Sequence, residues 1–391
     1  MNVYLDYSAT TPIKPEVLEA MMPFLTQQYG NPSSLHSFGR ESRKAIDHAR
    51  DQIASSLNAA PDEVFFTGGG SEADNWAIKG TAYALRSKGR HIITTAVEHH
   101  AVLHTCEYLE KEGFQVTYLP VDEHGLISLE DLKNAIKSDT ILISVMYANN
   151  EIGTIQPIEE VGRIAREHKI LFHTDAVQAY GHITIDTKNL PVDMISISAH
   201  KLYGPKGVGA LYLRKGVRIH NLVHGGGQEK KKRAGTENIA GIVGFGKAAA
   251  LAYEDIKAHN KRLTSLRDNL KNRLLESIPY TRLNGHAEKR LCNNVNLSFE
   301  FIEGESMLLS LDMVGIGASS GSACTSGSLD PSHVLLAIGL SHEIAHGSLR
   351  LTLGDMTTQE EIDYVVEQLP PIVQRLRDMS PLYEQVKEGN R

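Results

Sequence analysis

Short apolar runs alternate with stretches of helical period through the first two thirds of the chain. Strands are predicted at 64–67, 92–95, 116–119, 141–145, 170–172, 194–198 and 210–213, where apolar and β-branched residues sit between polar or turn-forming ones. Between them, helical spacing predicts helices at 72–85, 100–112, 129–136 and 158–168. This alternation implies an α/β fold, a wound and mostly parallel sheet with helices on both faces. After about residue 250 the pattern changes: a long charged helix over 248–278, straight or bent, leads into an alternating strand at 293–301. Ile362, Val365, Val366 and Leu369 mark an amphipathic helix over 360–369, which Pro370-Pro371 should restart or kink. At 391 residues the chain is long for one core. We therefore expect a large domain over 16–255 and a smaller α+β domain formed by 1–15 and 256–391, divided on the long helix near residue 255.

The strands predicted at 170–172 and 194–198 each run into a polar group, one holding Asp175 and Gln178, the other Ser198, His200 and Lys201. Buried parallel strands deliver such groups at their carboxyl ends, where open α/β sheets place ligands. A carboxylate beside an amine is the pair that pyridoxal phosphate needs. The lysine forms a Schiff base with its aldehyde, and the acid keeps the ring nitrogen protonated so that the ring withdraws electrons. Taken singly, a buried aspartate and a lysine with its stem along an apolar surface are ordinary. Together with the Gly204-Pro205-Lys206-Gly207 turn, the two favour the cofactor.

Thr67-Gly68-Gly69-Gly70-Ser71-Glu72 joins a predicted strand to a predicted helix. Glycines admit an anion close to the backbone, and the helix start offers free N–H groups, so Gly70 and Ser71 suit a phosphate. The alternative is a plain cap, with Ser71 and Asp74 forming a capping-box-like pattern. His99 follows the strand at 92–95 and suits a flat ring that stacks on the cofactor and moves protons; a surface histidine or half of a metal site are the other readings. The chain has 18 histidines but no His-Glu-x-x-His or Cys-x-x-Cys spacing, which argues against a dedicated zinc site. Asn150 joins the same rim after the strand at 141–145 and can reach the ring oxygen or the substrate, although Asn149-Asn150 also suits a simple turn.

Three cysteines provide no disulfide framework. Cys106 shares an apolar stripe with Val102 and Leu109 and reads as core; Cys292 precedes a strand with no obvious partner and reads as inert. Cys324 lies in a run of small polar residues over 319–330 that has little to bury, so we expect a mobile loop carrying a nucleophilic thiol, the alternative being a free cysteine in a linker. Lys230-Lys231-Lys232-Arg233 reads as a solvated basic face. Thr236, just beyond it, can reach a phosphate, and Arg350 is either a clamp for a carboxylate or half of a surface ion pair. A net charge of −7 speaks against nucleic-acid binding, and no apolar stretch approaches the roughly 20 residues of a membrane span. The first residues lack the basic and apolar regions of a secretory signal, so a cytoplasmic protein is expected.

In this order, LDYSATTP, YGNPSSLHSFGR, FFTGGGSEADN, VEHHAV, ANNEIGTIQPI, HTDAVQA, SISAHKLYGPKGVGALY, RAGTEN, SSGSACTSGSLDPSHVL and AHGSLRLTLG resemble the cysteine desulfurases of the nitrogen-fixation and iron–sulfur-cluster type. These are pyridoxal-phosphate enzymes of the aspartate-aminotransferase fold. The resemblance implies that Lys201 is the Schiff-base lysine, that Asp175 pairs with the ring nitrogen, that Gln178 meets the ring oxygen and that His99 stacks on the ring. It assigns Gly70, Ser71, Ser198 and His200 to the phosphate, and Asn31, Asn150 and Arg350 to the substrate. Thr236 would reach the phosphate of the other subunit of a homodimer. L-cysteine would become L-alanine while Cys324 takes the sulfur as a persulfide and passes it to an iron–sulfur scaffold protein or another acceptor, touching a scaffold-held cluster transiently. The Thr-Gly-Gly-Gly-Ser turn departs from the Thr-Ser-Gly-Ala-Thr often found in relatives, but Ser71 retains the hydroxyl. The alternatives are a selenocysteine lyase or related lyase on the same fold and, from another class, a non-catalytic regulatory protein.

Overall fold

The computed structural model describes residues 1–320, 331–387 and 389. Cys324 and most of the predicted cysteine loop therefore lie outside the described residues.

After a two-residue strand β1 (Val3–Tyr4), seven strands build the central sheet: β2 (Val64–Thr67), β3 (His91–Thr95), β4 (Gln115–Leu119), β5 (Thr140–Ser144), β6 (Leu171–Asp175), β7 (Met194–Ser198) and β8 (Gly209–Leu213). Their order is β2-β8-β7-β6-β5-β3-β4. The pairs from β7 through β6, β5 and β3 to β4 are parallel, while β8 runs antiparallel to both β7 and β2. Alternation along the strands feeds two apolar layers. Phe66, Ile93, Ile143, Ile195 and Tyr212 point into one with Ile46, Ile53 and Phe245. Phe65, Ile92, Leu142, Met194 and Leu211 point into the other with Trp76, Val102 and Cys106. Each fully buried side chain of this size contributes about 1.5–3 kcal/mol, so both layers hold the strand ends in register.

A second core gathers Val3, Leu5, Leu263, Leu270, Leu297, Phe299, Leu351, Ile362 and Val373. It surrounds an antiparallel sheet of β9 (Thr281–Leu283), β10 (Asn294–Phe299) and β12 (Ser348–Thr352), ordered β12-β10-β9, while β11 (Ile316–Gly317) pairs with β1. The helix expected over 248–278 is two helices, Ile239–Glu254 and Ile256–Ser277, which meet at Asp255. Asp255 leaves helical geometry at φ −143°, ψ 58°, and its carboxylate accepts the Ala258 N–H at 3.1 Å, capping the second helix. The proline pair does not end its helix, which runs unbroken over Gln359–Asp378. Ile362, Val365, Leu369, Ile372 and Val373 are all buried, and their packing outweighs the roughly 3 kcal/mol that an interior proline costs. No helix among the described residues is long and apolar enough to cross a membrane.

Candidate active site

A cavity of 390 Å³ opens at the carboxyl ends of β5, β6 and β7. Asp175 is the last residue of β6 rather than part of a following loop, because the ladder continues through its pairing with Ser196. Its Oδ1 accepts the Val177 N–H at 2.9 Å, and burial pushes its pKa up to about 6 against the opposing pull of Lys201. His173, two residues back on β6, is fixed between Ser144 Oγ and Ser196 Oγ at 2.9 Å each and gives the strand end a rigid floor.

Lys201 ends the short turn Ala199–Lys201 that follows β7. Its Nζ donates to the carbonyl oxygens of Ser8 and Ala9 at 2.5 and 2.7 Å. Gln178 Nε2 also donates to the Ser8 carbonyl, at 3.0 Å. The N-terminal segment thus closes one wall of the cavity, a role that the sequence reading did not give to Ser8 or Ala9.

The glycine turn is more open than a side-chain cap would make it. The Gly70–Leu85 helix is capped by Gly69, not by Ser71, and no side chain closes its first turn. Gly69 has φ +150°, a conformation that L side chains rarely adopt, and a Cβ on Gly70 would stand 2.7 Å from Val177 Cγ2. The free N–H groups of the first turn therefore meet the space beside Ser198 and His200 that Ser71 also lines. His200 Nδ1 lies 3.2 Å from Thr10 Oγ1, and burial with the nearby Lys201 and Lys206 lowers its pKa to about 4.

His99 caps the next helix, His100–Lys111, with Nδ1 accepting the Ala101 N–H at 3.1 Å. Burial first, then Lys201, lower its pKa to about 4, so the ring is neutral and its proton sits on Nε2. Arg350, on β12, is buried rather than part of a surface pair. Its Nη2 donates to Asp6 Oδ1 at 2.8 Å and its Nη1 to the Asn150 carbonyl at 3.0 Å. Asn149, beside Asn150, is structural: its Oδ1 accepts the Glu151 and Ile152 N–H groups and its Nδ2 donates to the Val97 carbonyl.

The cavity brings together Gly70, Ser71, His99, Asn150, Asp175, Gln178, Ser198, His200, Lys201 and Arg350. Asn31 and Thr236 are exposed and do not line it. Asn31 Oδ1 accepts the Ser33 N–H at 2.9 Å within its own loop. Three further carboxyls line the cavity, Asp74, Glu98 and Glu151, of which the sequence suggested a helix cap for Asp74 and no role for the other two. Burial raises Glu98 to about 8, and raises Glu151 to about 7 against a hydrogen bond from Ser332 and the charge of Arg350. Their neighbours His99 and Asn150 were the only local signal. The basic run is not wholly solvated either, since Arg233 Nε and Nη2 donate to the Glu72 carboxylate at 2.8 and 3.0 Å.

Cys106 is fully buried, and burial raises its thiol pKa. Cys292 has a partner after all, donating to Asn260 Oδ1 at 3.3 Å, and burial pushes its pKa up to about 12. The donor set fits pyridoxal phosphate: an amine and a buried carboxylate on adjacent strand ends, an uncapped helix start for the phosphate, and a buried Arg350 Nε without a hydrogen-bond partner among the described residues.

A cysteine desulfurase IscS from Clostridium botulinum is 62% identical to this chain over 385 residues, covering 98% of the chain and 97% of the relative. A cysteine desulfurase IscS from Methanosarcina thermophila is 61% identical over 380 residues, covering 97% of the chain and 94% of the relative. A solved structure of a NifS-like protein superposes with a TM-score of 0.91 at 41% identity, covering 96% of this chain and all of that one. The aminotransferase class-V family matches residues 3–365, and with identity of this extent the chain belongs to that family.

Proposed function

We propose that this chain is a cysteine desulfurase, which takes the sulfur of L-cysteine, leaves L-alanine and carries the sulfur on Cys324. The observation that carries the reading is the convergence of Lys201, Asp175, His99 and Arg350 on one cavity, in a chain so similar to relatives named for that activity. Pyridoxal phosphate, when bound, supplies a ring that withdraws electrons from the substrate's α-carbon. Lys201 Nζ is the amine that would hold the cofactor's aldehyde and would serve as the base for the substrate's α-proton. Burial raises the Asp175 pKa, a hydrogen bond from Val177 and the charge of Lys201 oppose the rise, and Asp175 would pair as a carboxylate with the ring nitrogen. His99 presents a neutral ring with its proton on Nε2, and Gln178 and Asn150 supply amide donors. Gly70, Ser71, Ser198 and His200 bind the phosphate, and Arg350 clamps the substrate carboxylate. Cys324, as thiolate, attacks the substrate sulfur. An S–S bond forms as the C–S bond breaks, and the electron pair of the latter goes to the β-carbon, which takes a proton. Cys106 and Cys292 are too deeply buried to compete.

The sulfur then passes to an iron–sulfur scaffold protein or a similar thiol acceptor in the cytoplasm, and any cluster met there is cargo. A homodimer is supported by Thr236 and Asn31, exposed away from the cavity, and by the exposed apolar residues Leu25, Tyr29, Leu35 and Phe38. The two cores and the break at Asp255 support a division into 16–255 and the remainder.

Alanine released from cysteine, with persulfide located by mass spectrometry, tests the reading. Cys324→Ala should keep the absorbance of bound cofactor and lose alanine production, whereas Lys201→Ala should lose both. Full desulfurase activity in Cys324→Ala would overturn it.

A further inference from the structure

Four histidines run from the cavity to the surface. His100 opens the His100–Lys111 helix, and its ring centre lies 6.3 Å from that of His99. His104, one turn along the same face, has its ring centre 4.9 Å from His100 and is exposed. His333, at the start of the His333–Ala337 helix, brings its ring centre to 4.9 Å from His100. His99, His100 and His333 line the cavity; His104 does not. No group of three or more His, Cys, Asp or Glu among the described residues is arranged to hold a metal ion.

Two of these rings keep a nitrogen outside the hydrogen bonds among the described residues. His333 Nε2 is 3.0 Å from the Glu98 carbonyl oxygen, which can only accept, so Nε2 carries the proton and Nδ1 is left as a base. His100 Nδ1 is buried with no hydrogen-bond partner among the described residues. A buried nitrogen of this kind is unfavourable unless a water or a mobile proton meets it. Ring centres 4.9 Å apart make His104 and His333 each an immediate neighbour of His100. Burial and the neighbouring imidazoles lower the pKa of both His100 and His333, with Glu107 opposing at His100 and the Glu98 carbonyl at His333. Both rings are thus neutral at neutral pH and able to accept a proton.

We propose that His100 and His104, joined by His333, relay protons between the cavity and solvent. The inference rests on the desulfurase reading, in which protons leave and join carbon and sulfur atoms inside the cavity and can exchange with solvent along such a file. Cysteine plus a thiol becoming alanine plus a persulfide is neutral in protons: the S–H proton lost by the enzyme thiol equals the C–H proton gained at the β-carbon. The thiol sulfur is oxidised as the S–S bond forms, and the carbon is reduced as the C–S bond breaks. Donor and acceptor are different atoms, so protons must be redistributed during the reaction, and a file of bases that reaches from the cavity to the surface can exchange them with water.

The test follows deuterium into the α-position of L-alanine held with the cofactor-loaded enzyme in D2O, a process that does not call on the thiol. His104→Ala should slow this exchange about tenfold in dilute buffer, without changing the KM for alanine or the cofactor absorbance, and added imidazole should restore it. His100→Gln, of similar size but unable to titrate, should behave alike. Wild-type exchange in both variants, or a loss that imidazole does not restore, overturns the relay. Absence of exchange in the wild type would instead refute the desulfurase reading. In the cofactor-free protein, NMR should show the His100 ring pKa rising in His104→Ala, because a neighbouring like charge is gone. An unmoved His100 pKa would disconnect the two rings and also overturn the relay.

Discussion

Two buried arginines in this molecule, Arg50 and Arg350, each pair with a carboxylate and leave their guanidinium groups in opposite states. Arg50 donates to both carboxylate oxygens of Glu229 at 2.7 Å and to the Val64 carbonyl at 2.7 Å, while Glu229 also accepts the Phe66 N–H at 2.9 Å. That pair is closed, with each oxygen of Glu229 and the guanidinium committed to the fold. Arg350 gives one N–H to Asp6 and one to the Asn150 carbonyl, and its buried Nε meets no partner among the described residues. That pair is open and borders the cavity. A buried charge with its hydrogen bonds spent can only support; one with donors in reserve is placed to receive a ligand.

Breaking the closed pair should have the largest effect. Arg50→Ala leaves Glu229 buried without its cation, a loss of about 3–5 kcal/mol that the urea midpoint should register, while the KM for cysteine of the folded protein stays near wild type. A loss below about 1 kcal/mol would show that the closed pair is dispensable.

Glu98 extends the comparison to a buried carboxyl with no cation paired to it among the described residues. Its Oε1 accepts from Thr95 Oγ1 and the Met146 N–H, and its Oε2 meets no partner among the described residues. Burial raises its pKa from 4.5 to about 8. The fold therefore favours the protonated form. The resulting stability is complete below pH 4.5 and is lost as pH rises through about 8. Glu98→Gln keeps the neutral form at every pH, so at pH 8 it should exceed wild type by on the order of 3 kcal/mol and match it near pH 4.5. Parallel stability curves would place the ionisation elsewhere.

Arg350→Lys tests the open pair. A lysine can still meet Asp6 but lacks the planar fork, so kcat/KM for cysteine should fall about a hundredfold, mainly through KM, with a smaller change in stability. If stability fell and KM did not move, Arg350 would belong with Arg50.

How much of this was legible beforehand depends on the range of the signal. β2 and β7 begin and end where the apolar runs do, because their boundaries coincide with the Gly68 and His200 turns. β6 was misplaced, since ladder pairing with β7 carries it through polar His173 and Thr174 to Asp175, and pairing partners lie outside any local window. The Ser37–Ser56 helix escaped notice because its apolar stripe is thin, with Ile46, Ala49 and Ile53 among charged residues, and packing against Phe245 supplies the rest. Lys201, Asp175 and the glycine turn stood out because strand ends and turns are written locally. Glu151 did not, because its partner Ser332 lies 181 residues away. Asn31 rested on the resemblance alone and Thr236 on a hydroxyl that could reach some phosphate, and the cavity of a single chain includes neither.

The smallest effect concerns what the closed pair supports. Glu229, Lys230 and Lys231 stand consecutively at φ 45°, 56° and 66°, a left-handed turn without a glycine. Each such residue costs about 1–2 kcal/mol, and the Arg50–Glu229 clamp holds the first of them in place. Lys231 is exposed and does not line the cavity, so its backbone can be relaxed without touching the chemistry. Lys231→Gly should raise stability by about 1 kcal/mol, less than the full strain because glycine also frees the unfolded chain, and should leave turnover unchanged. A destabilised variant would mean that the lysine side chain contributes more than its backbone costs. The same substitution made in Arg50→Ala separates clamp from turn. If the turn survives without its clamp, glycine recovers the same increment. If the clamp alone holds it, the strained conformation is already lost and glycine recovers nothing.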